Sequence, residues 1–202
     1  MSDAAYRQAR IYDRVIGNAG YLRVVWSAAP DEFDRFAREA LAAGEGPFLD
    51  VGCGTLVFTE DAYRSSGRAL TLTDLSEEML IRARERFSAP NATLLQADMF
   101  NLPFEPRSFE TVASFGVLHC IEDLDGALAA IAAQVAPGGR AYLSHLVGAT
   151  ARSKLMAGLL HRAGEFAAPR SQAEFEAAVS RHFEPISFER RGSMAYATAE
   201  PA

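Results

Sequence analysis

Two short stretches carry residues arranged for chemistry. Asp50-Val51-Gly52-Cys53-Gly54 closes the apolar run Phe48-Leu49, and Asp74 closes the next apolar run, Leu70-Thr71-Leu72-Thr73. Glycines at 52 and 54 take side chains away from a strand-to-helix turn, so a ligand can approach the backbone closely. A carboxylate ending the next strand can then accept hydrogen bonds from the hydroxyls of a ribose. The pair predicts a site for a nucleoside-containing cofactor. A pyrophosphate-linked dinucleotide calls for Gly-x-Gly-x-x-Gly, with the third glycine letting the helix pack close, and Val57 stands there instead. Position 150, four before Lys154, is Thr, so no Tyr-x-x-x-Lys hydride-transfer pair is formed.

Further along, Asp98-Met99 and Ser114-Phe115-Gly116 end later apolar runs, at the carboxyl side of strands where open α/β sheets gather their ligands. His119 and His145 lie near the ends of the fourth and fifth runs. An imidazole titrates near neutral pH, so each is a candidate base or substrate hydrogen-bond partner, and each also has a structural reading as a packed or turn-capping histidine. Asp74 and Asp98 carry the alternative of turn capping, and Cys53 reads as a small packed residue. Tyr6, Tyr12, Tyr21 and Trp26 either pack into the core or belong to a lid.

The elements that must hold these residues follow from periodicity. Residues 4–44 read as helical, with Tyr12, Val15 and Ile16 on one face, a break at Pro30, Asp31 as N-cap, and Phe33, Phe36, Ala37 and Leu41 repeating the pattern. Gly44-Glu45-Gly46-Pro47 stops that helix. Strands are expected at 48–51, 69–73, 93–97, 111–115 and 140–147, mostly separated by helices, in the rhythm of a parallel α/β sheet. Ser76 caps a helix carrying Met79, Leu80, Ala83 and Phe87, and a further helix over 125–135 ends at Pro137-Gly138-Gly139. Segments 154–162 and 173–181 read as helices, and the tail as an antiparallel hairpin turning at Arg191-Gly192-Ser193.

Composition narrows the class. At 202 residues and 49% hydrophobic, the chain fits one domain over 1–202. Its expected parts are a helical cap over 1–44, a cofactor core over 46–147, and substrate-side helices with a hairpin over 148–202. A formal charge of -6 argues against broad capture of nucleic acid or anionic membrane. Two cysteines, Cys53 and Cys120, without paired spacing, make neither a disulfide framework nor a metal site. The opening residues lack the apolar core of a signal peptide and no apolar run reaches membrane-spanning length, so a cytoplasmic protein is expected.

Asp50-Val51-Gly52-Cys53-Gly54 resembles the first motif of class I S-adenosylmethionine-dependent methyltransferases, in their small-molecule (methyltransferase type 11-like) branch. The later segments resemble the family's motifs in order: Thr73-Asp74-Leu75-Ser76, Ala97-Asp98-Met99, Ser114-Phe115-Gly116-Val117-Leu118-His119, and Val135-Ala136-Pro137-Gly138-Gly139. The resemblance implies a Rossmann-like, doubly wound seven-stranded sheet, mostly parallel with an antiparallel C-terminal hairpin and helices on both faces. It implies cofactor contacts from Asp50, Gly52, Cys53 and Gly54 to the methionine part, and from Asp74, Leu75 and Met79 to the ribose and adenine. Asp98 and Met99 would meet the adenine, and Ser114 and Phe115 the ammonium. Leu56 occupies the family's usual third glycine, and Cys120 the second position of a frequent His-His pair.

The expected activity is methyl transfer from S-adenosyl-L-methionine to a small-molecule nucleophile by in-line displacement, giving S-adenosyl-L-homocysteine. His119 and His145 are its candidate bases, and Tyr6, Tyr12 and Gly116 its substrate or lid residues. A monomer and a homodimer are both compatible with the sequence. Three other readings stand beside it: a nicotinamide-dependent oxidoreductase, a non-catalytic S-adenosylmethionine or S-adenosylhomocysteine binding protein on the same fold, and a structural or interaction protein on a decayed form of it.

Overall fold

The computed structural model describes residues 19–202; Tyr6, Tyr12, Val15 and Ile16 lie outside the described residues. Seven strands form one sheet: β1 (Phe48–Val51), β2 (Leu70–Asp74), β3 (Ala92–Gln96), β4 (Phe109–Ser114), β5 (Val135–Leu146), β6 (Phe183–Arg191) and β7 (Met194–Pro201). Their spatial order is β3-β2-β1-β4-β5-β7-β6. The first five are mutually parallel, and β7 pairs antiparallel with both β5 and β6. The order reverses beside β1, between β2 and β4, which places the ends of β1 and β4 at the switch point where such sheets bind ligands.

All four residues of β1 are buried, as expected for a central parallel strand covered on both faces. Side chains alternate between two cores. Phe48 faces Phe36, Ala37, Tyr63, Leu72 and Phe87, on the side of helices α1 (Pro30–Ala42), α2 (Glu60–Arg64) and α3 (Glu77–Arg86). Leu49 and Val51 face the other side, with Leu128 and Ile131 of α4 (Leu124–Gln134) and Phe175 and Val179 of α6 (Gln172–Val179). Each such buried Phe or Leu contributes about 1.5–3 kcal/mol relative to exposure. A further helix, α5 (Ala151–Arg162), follows β5.

Local signals explain most boundaries. Ser76 Oγ accepts from Met79 N at 3.3 Å to start α3, and Thr150 and Ser171 form capping boxes at α5 and α6. Two expectations are corrected. Asp31 is not the N-cap of α1: Ala29 is, because Pro30 with its fixed φ takes the first helical turn, leaving Asp31 and Glu32 to complement the dipole. Pro137-Gly138-Gly139 lies inside β5 rather than before it. Pairing begins at Phe109 with Val135 and shifts register before Thr111. Gly139 permits this, since a Cβ there would lie 2.5 Å from the Glu110 carbonyl oxygen. Ahead of α1, a π-helix (Leu22–Trp26) buries Leu22 and Trp26.

Arg68 ties the edges of this frame. Nearly buried, it donates to the carbonyls of Ala40, Leu41 and Gly46 and to Thr111 Oγ, at 2.8–3.3 Å. It thereby joins the end of α1 to β1 and β4.

Candidate functional site

After β1 the chain leaves the sheet through Gly52 (φ 81) and Gly54 (φ 58), both left-handed. The turn is fixed by Gly52 N and Cys53 N, which each donate to Thr73 O at 2.8 Å, and by Thr73 Oγ, which donates to Asp50 O. A Cβ at Gly52 would sit 2.6 Å from Val117 Cγ1, whereas one at Gly54 would meet nothing within 4 Å. Glycine at 52 therefore answers a close approach, and glycine at 54 answers backbone conformation alone. Leu56 also takes a positive φ, 61, and is fully buried, so the turn continues in left-handed geometry without a glycine.

Asp74 is pinned by backbone amides. Its Oδ2 accepts from Gly54 N at 2.8 Å and its Oδ1 from Ser76 N at 2.9 Å. Burial raises its pKa and these amides oppose the rise. Asp50 is 1% exposed; its Oδ2 accepts from the Tyr63 hydroxyl at 2.6 Å, while Oδ1 is buried with no partner among the described residues. Burial pushes the Asp50 carboxyl up to about 7, with Tyr63 acting against that and Asp74 adding to it.

Asp50, Gly52, Cys53, Gly54, Asp74 and Met79 line one cavity of about 230 Å³, which Phe115 and Gly116 close on the β4 side. Burial also holds the Cys53 thiol well above its usual range, consistent with a packed residue. Four proposed contact residues lie outside this lining. Leu75 is exposed after β2, and Asp98 Oδ1 accepts from Phe100 N at 3.0 Å in the turn after β3. Met99 is buried in the second core, and the buried Ser114 donates from Oγ to Val51 O at 2.9 Å.

The cavity adjoins an apolar chamber of about 110 Å³ with which it shares Phe33, Phe58, Phe115, Gly116 and Cys120. Phe33 and Phe58 stack at 5.0 Å, and Gly116 N donates to Ser144 Oγ at 2.9 Å. His119, Trp26, Leu146 and Phe166 also line the chamber. His119 and His145 are brought together, ring centroids 6.3 Å apart. Burial lowers His119 to about 3, with His145 adding to the shift, and burial lowers His145 to about 4, so both are neutral near pH 7. His145 Nδ1 lies 2.7 Å from Leu146 O; a carbonyl only accepts, so Nδ1 carries the proton and Nε2 presents its lone pair. Of the aromatic quartet, Trp26 is buried and Tyr21 packs edge-on against it at 6.5 Å.

Sequence reasoning missed Tyr63, Val117 and the Phe33–Phe58 stack. Only Tyr63 had a signal: an aspartate inside an otherwise apolar buried strand needs a donor from the helix packed over it. Among the described residues no group of three or more His, Cys, Asp or Glu could hold a metal, and no helix is long and apolar enough to cross a membrane.

The switch-point turn, the acid ending β2 and the antiparallel last strands define the class: a Rossmann-like methyltransferase fold. Residues 49–143 match the methyltransferase domain family. The chain is 33% identical over 140 residues to demethylmenaquinone methyltransferase of Chlorobaculum tepidum, covering 66% of this chain and 57% of that protein. It is 29% identical over 136 residues to the ubiquinone/menaquinone biosynthesis C-methyltransferase of Desulfotalea psychrophila, covering 65% of this chain and 54% of that one. It thus spans just over half the length of these curated relatives. Among solved structures, phosphoethanolamine N-methyltransferase 2 of Haemonchus contortus in complex with S-adenosyl-L-methionine superposes with a TM-score of 0.75 at 18% identity, covering 98% of this chain and 57% of that chain. A TehB-like methyltransferase of Corynebacterium glutamicum gives 0.66 at 17% identity over 100% of both chains. Residues 49–143 thus match a methyltransferase domain, and the fold is the one seen in S-adenosylmethionine-dependent methyltransferases.

Proposed function

We propose that the protein transfers the methyl group of S-adenosylmethionine to a small-molecule nucleophile. The observation that carries this is the shared wall. The cavity at Asp50, Gly54 and Asp74 shares Phe115 and Gly116 as a wall with an apolar chamber bearing His119.

The residues fit that cofactor. Asp50 Oδ1, buried without a donor among the described residues, suits the ammonium of an amino acid, and Gly54, with open space where a Cβ would lie, leaves room for the backbone to be approached. Asp74, held by two amides, keeps further lone pairs for ribose hydroxyls. Leu75, Asp98 and Met99 are proposed to border the adenine at the exposed ends of β2 and β3, and the Ser114 and Phe115 carbonyls to meet the ammonium. The cofactor supplies an electrophilic methyl on a sulfonium, so the chain's contribution is alignment and exclusion of water. The stacked Phe33 and Phe58 wall the transfer zone. His119 supports two roles there, base or hydrogen-bond partner; its lowered pKa keeps the ring neutral near pH 7, which suits a hydrogen-bond partner and makes it a weak base in this state.

Calorimetric titration with S-adenosylhomocysteine tests the reading. Wild type binds, and Asp74→Ala loses roughly 1–3 kcal/mol of affinity, the range for hydrogen bonds to a charged acceptor. Absence of binding by wild type at millimolar ligand would overturn the proposal.

A further inference from the structure

Beyond the apolar chamber lies a larger cavity of about 620 Å³, which shares His119, Leu146 and Phe166 with it. Its floor is the end of β5 and its far wall the start of α5 and the segment leading into α6. Three features set its chemistry.

The first is His145. It is 1% exposed, and its Nε2, the nitrogen with the lone pair, is buried without a donor among the described residues. A buried acceptor left unpaired is costly, so this atom marks where a ligand's N–H or O–H belongs. The second is Lys154, the chain's only lysine. Its stem lies along Gly148, where a Cβ would come 3.2 Å from Lys154 Cγ, and its ammonium meets no hydrogen-bond or salt-bridge partner among the described residues. The third is the balance of charge around the wall. Arg170 and Arg190 add two cations, although Arg170 already donates to the Ile121 and Glu122 carbonyls and Arg190 to Gly192 O. The carboxylate on this wall, Glu174, accepts from Ser171 N and Ser171 Oγ at 2.7 Å and serves the helix cap.

We propose that this cavity binds the distal end of the methyl acceptor, and that this end is a carboxylate bearing a hydroxyl or amino group on the adjacent carbon. The carboxylate lies against Lys154, with Arg190 contributing at longer range, and the neighbouring donor is read by His145 Nε2. The apolar body of the molecule fills the chamber between, so its reacting end reaches toward Gly116. That the bound molecule is the methyl acceptor, and so the orientation of its reacting end, rests on the methyl-transfer reading; the carboxylate site does not.

A single lysine makes a site-specific probe. Reductive methylation with ¹³C-formaldehyde marks Lys154 and the amino terminus while keeping the charge. The methyl resonances of the full chain are then followed during titration with 3-phenyllactate, phenylalanine, 3-phenylpropanoate and the methyl ester of phenyllactate. Saturable shifts of the Lys154 signal are expected with phenyllactate or phenylalanine, whichever binds tighter naming the donor as hydroxyl or ammonium. Binding should be at least fivefold weaker for phenylpropanoate, which lacks the donor, and for the ester, which lacks the charge. Calorimetry on Lys154→Met should show a similar loss. Failure of both acids to shift the signal at 20 mM, or equal binding of the ester, would overturn the proposal. S-adenosylhomocysteine titrated into the same sample separates the two readings: cofactor binding without acid binding removes this inference alone, and the reverse removes the methyl-transfer reading alone.

Discussion

The Tyr63 hydroxyl sits 2.6 Å from Asp50 Oδ2, buried beneath the glycine turn, so a residue of α2 bears on the charge of the carboxylate within β1. Burial lifts Asp50 toward 7 and Tyr63 restrains it. The ionised form is the one that attracts a ligand ammonium. Affinity for S-adenosylhomocysteine is therefore expected to rise with pH through about 7, a dependence that Asp50→Asn removes. Tyr63→Phe should move the midpoint to higher pH, because the charged form loses its donor. Calorimetry at half-unit intervals from pH 6 to 8.5 checks this, and an unmoved midpoint in Tyr63→Phe would separate the tyrosine from the site.

Gly52→Ala should damage both fold and site. The new Cβ meets Val117 Cγ1 at 2.6 Å in a backbone region with φ 81. Strain and overpacking together are expected to cost about 2–4 kcal/mol in urea denaturation. Adding Val117→Ala should recover part of that loss, the overpacking share, and leave the φ share. Gly54→Ala, with open space at its Cβ, should show only the φ share.

The two histidines make the fold acid-sensitive, and the sign is fixed by their direction of shift. Both are held below the ordinary value of 6.5, His119 to about 3 and His145 to about 4. The unfolded chain thus binds more protons, and the stability they contribute is present above about 6.5 and lost as pH falls toward 4. Asp50 works the other way: its raised pKa favours the folded state at low pH, an advantage lost as pH rises from about 4 to about 7. Comparing denaturant midpoints of wild type and His145→Gln at pH 7 and pH 5 isolates one term. Wild type should lose on the order of 2 kcal/mol more than the variant over that interval.

His119→Gln is expected to slow turnover at least tenfold in a methyl-transfer assay on an acceptor that loses a proton, with S-adenosylhomocysteine affinity within twofold of wild type. Its ring borders the chamber and not the cavity at Asp50 and Asp74. Equal rates would leave it a packed histidine against Phe166, whose ring centroid lies 4.5 Å away.

The seven-strand architecture was legible because its signals are local: apolar runs bounded by glycine, proline and capping residues. Ser76 illustrates this, since its cap can be read from the chain alone. The turn at Gly52 and Gly54 and the acid at Asp74 were legible for the same reason, each being fixed by strand ends and backbone conformation. What escaped depends on packing across elements. Tyr63 meets Asp50 from a five-residue helix too short to show periodicity, Val117 meets Gly52 from the far side of β4, and Phe33 finds Phe58 across the turn. The Pro137-Gly138-Gly139 segment read as a loop because its residues favour turns, yet it lies inside β5, as the irregularity between the Phe109–Val135 and Thr111–Arg140 pairs. Cap placement at α1 failed on one competition, Pro30 against Asp31.

The placement of β7 between β5 and β6 also dictates an order of events during synthesis. As the chain leaves the ribosome, β1 to β5 emerge first and can assemble, but β5 then presents an unpaired edge that includes Ser144 and His145. β6 follows and has no neighbour to dock on until β7 arrives. The sheet closes only once residue 201 is free of the exit tunnel, in a single step that seats two strands together. Until then the nascent domain exposes the edge of the strand that carries one of its two central imidazoles, open to pairing with another chain.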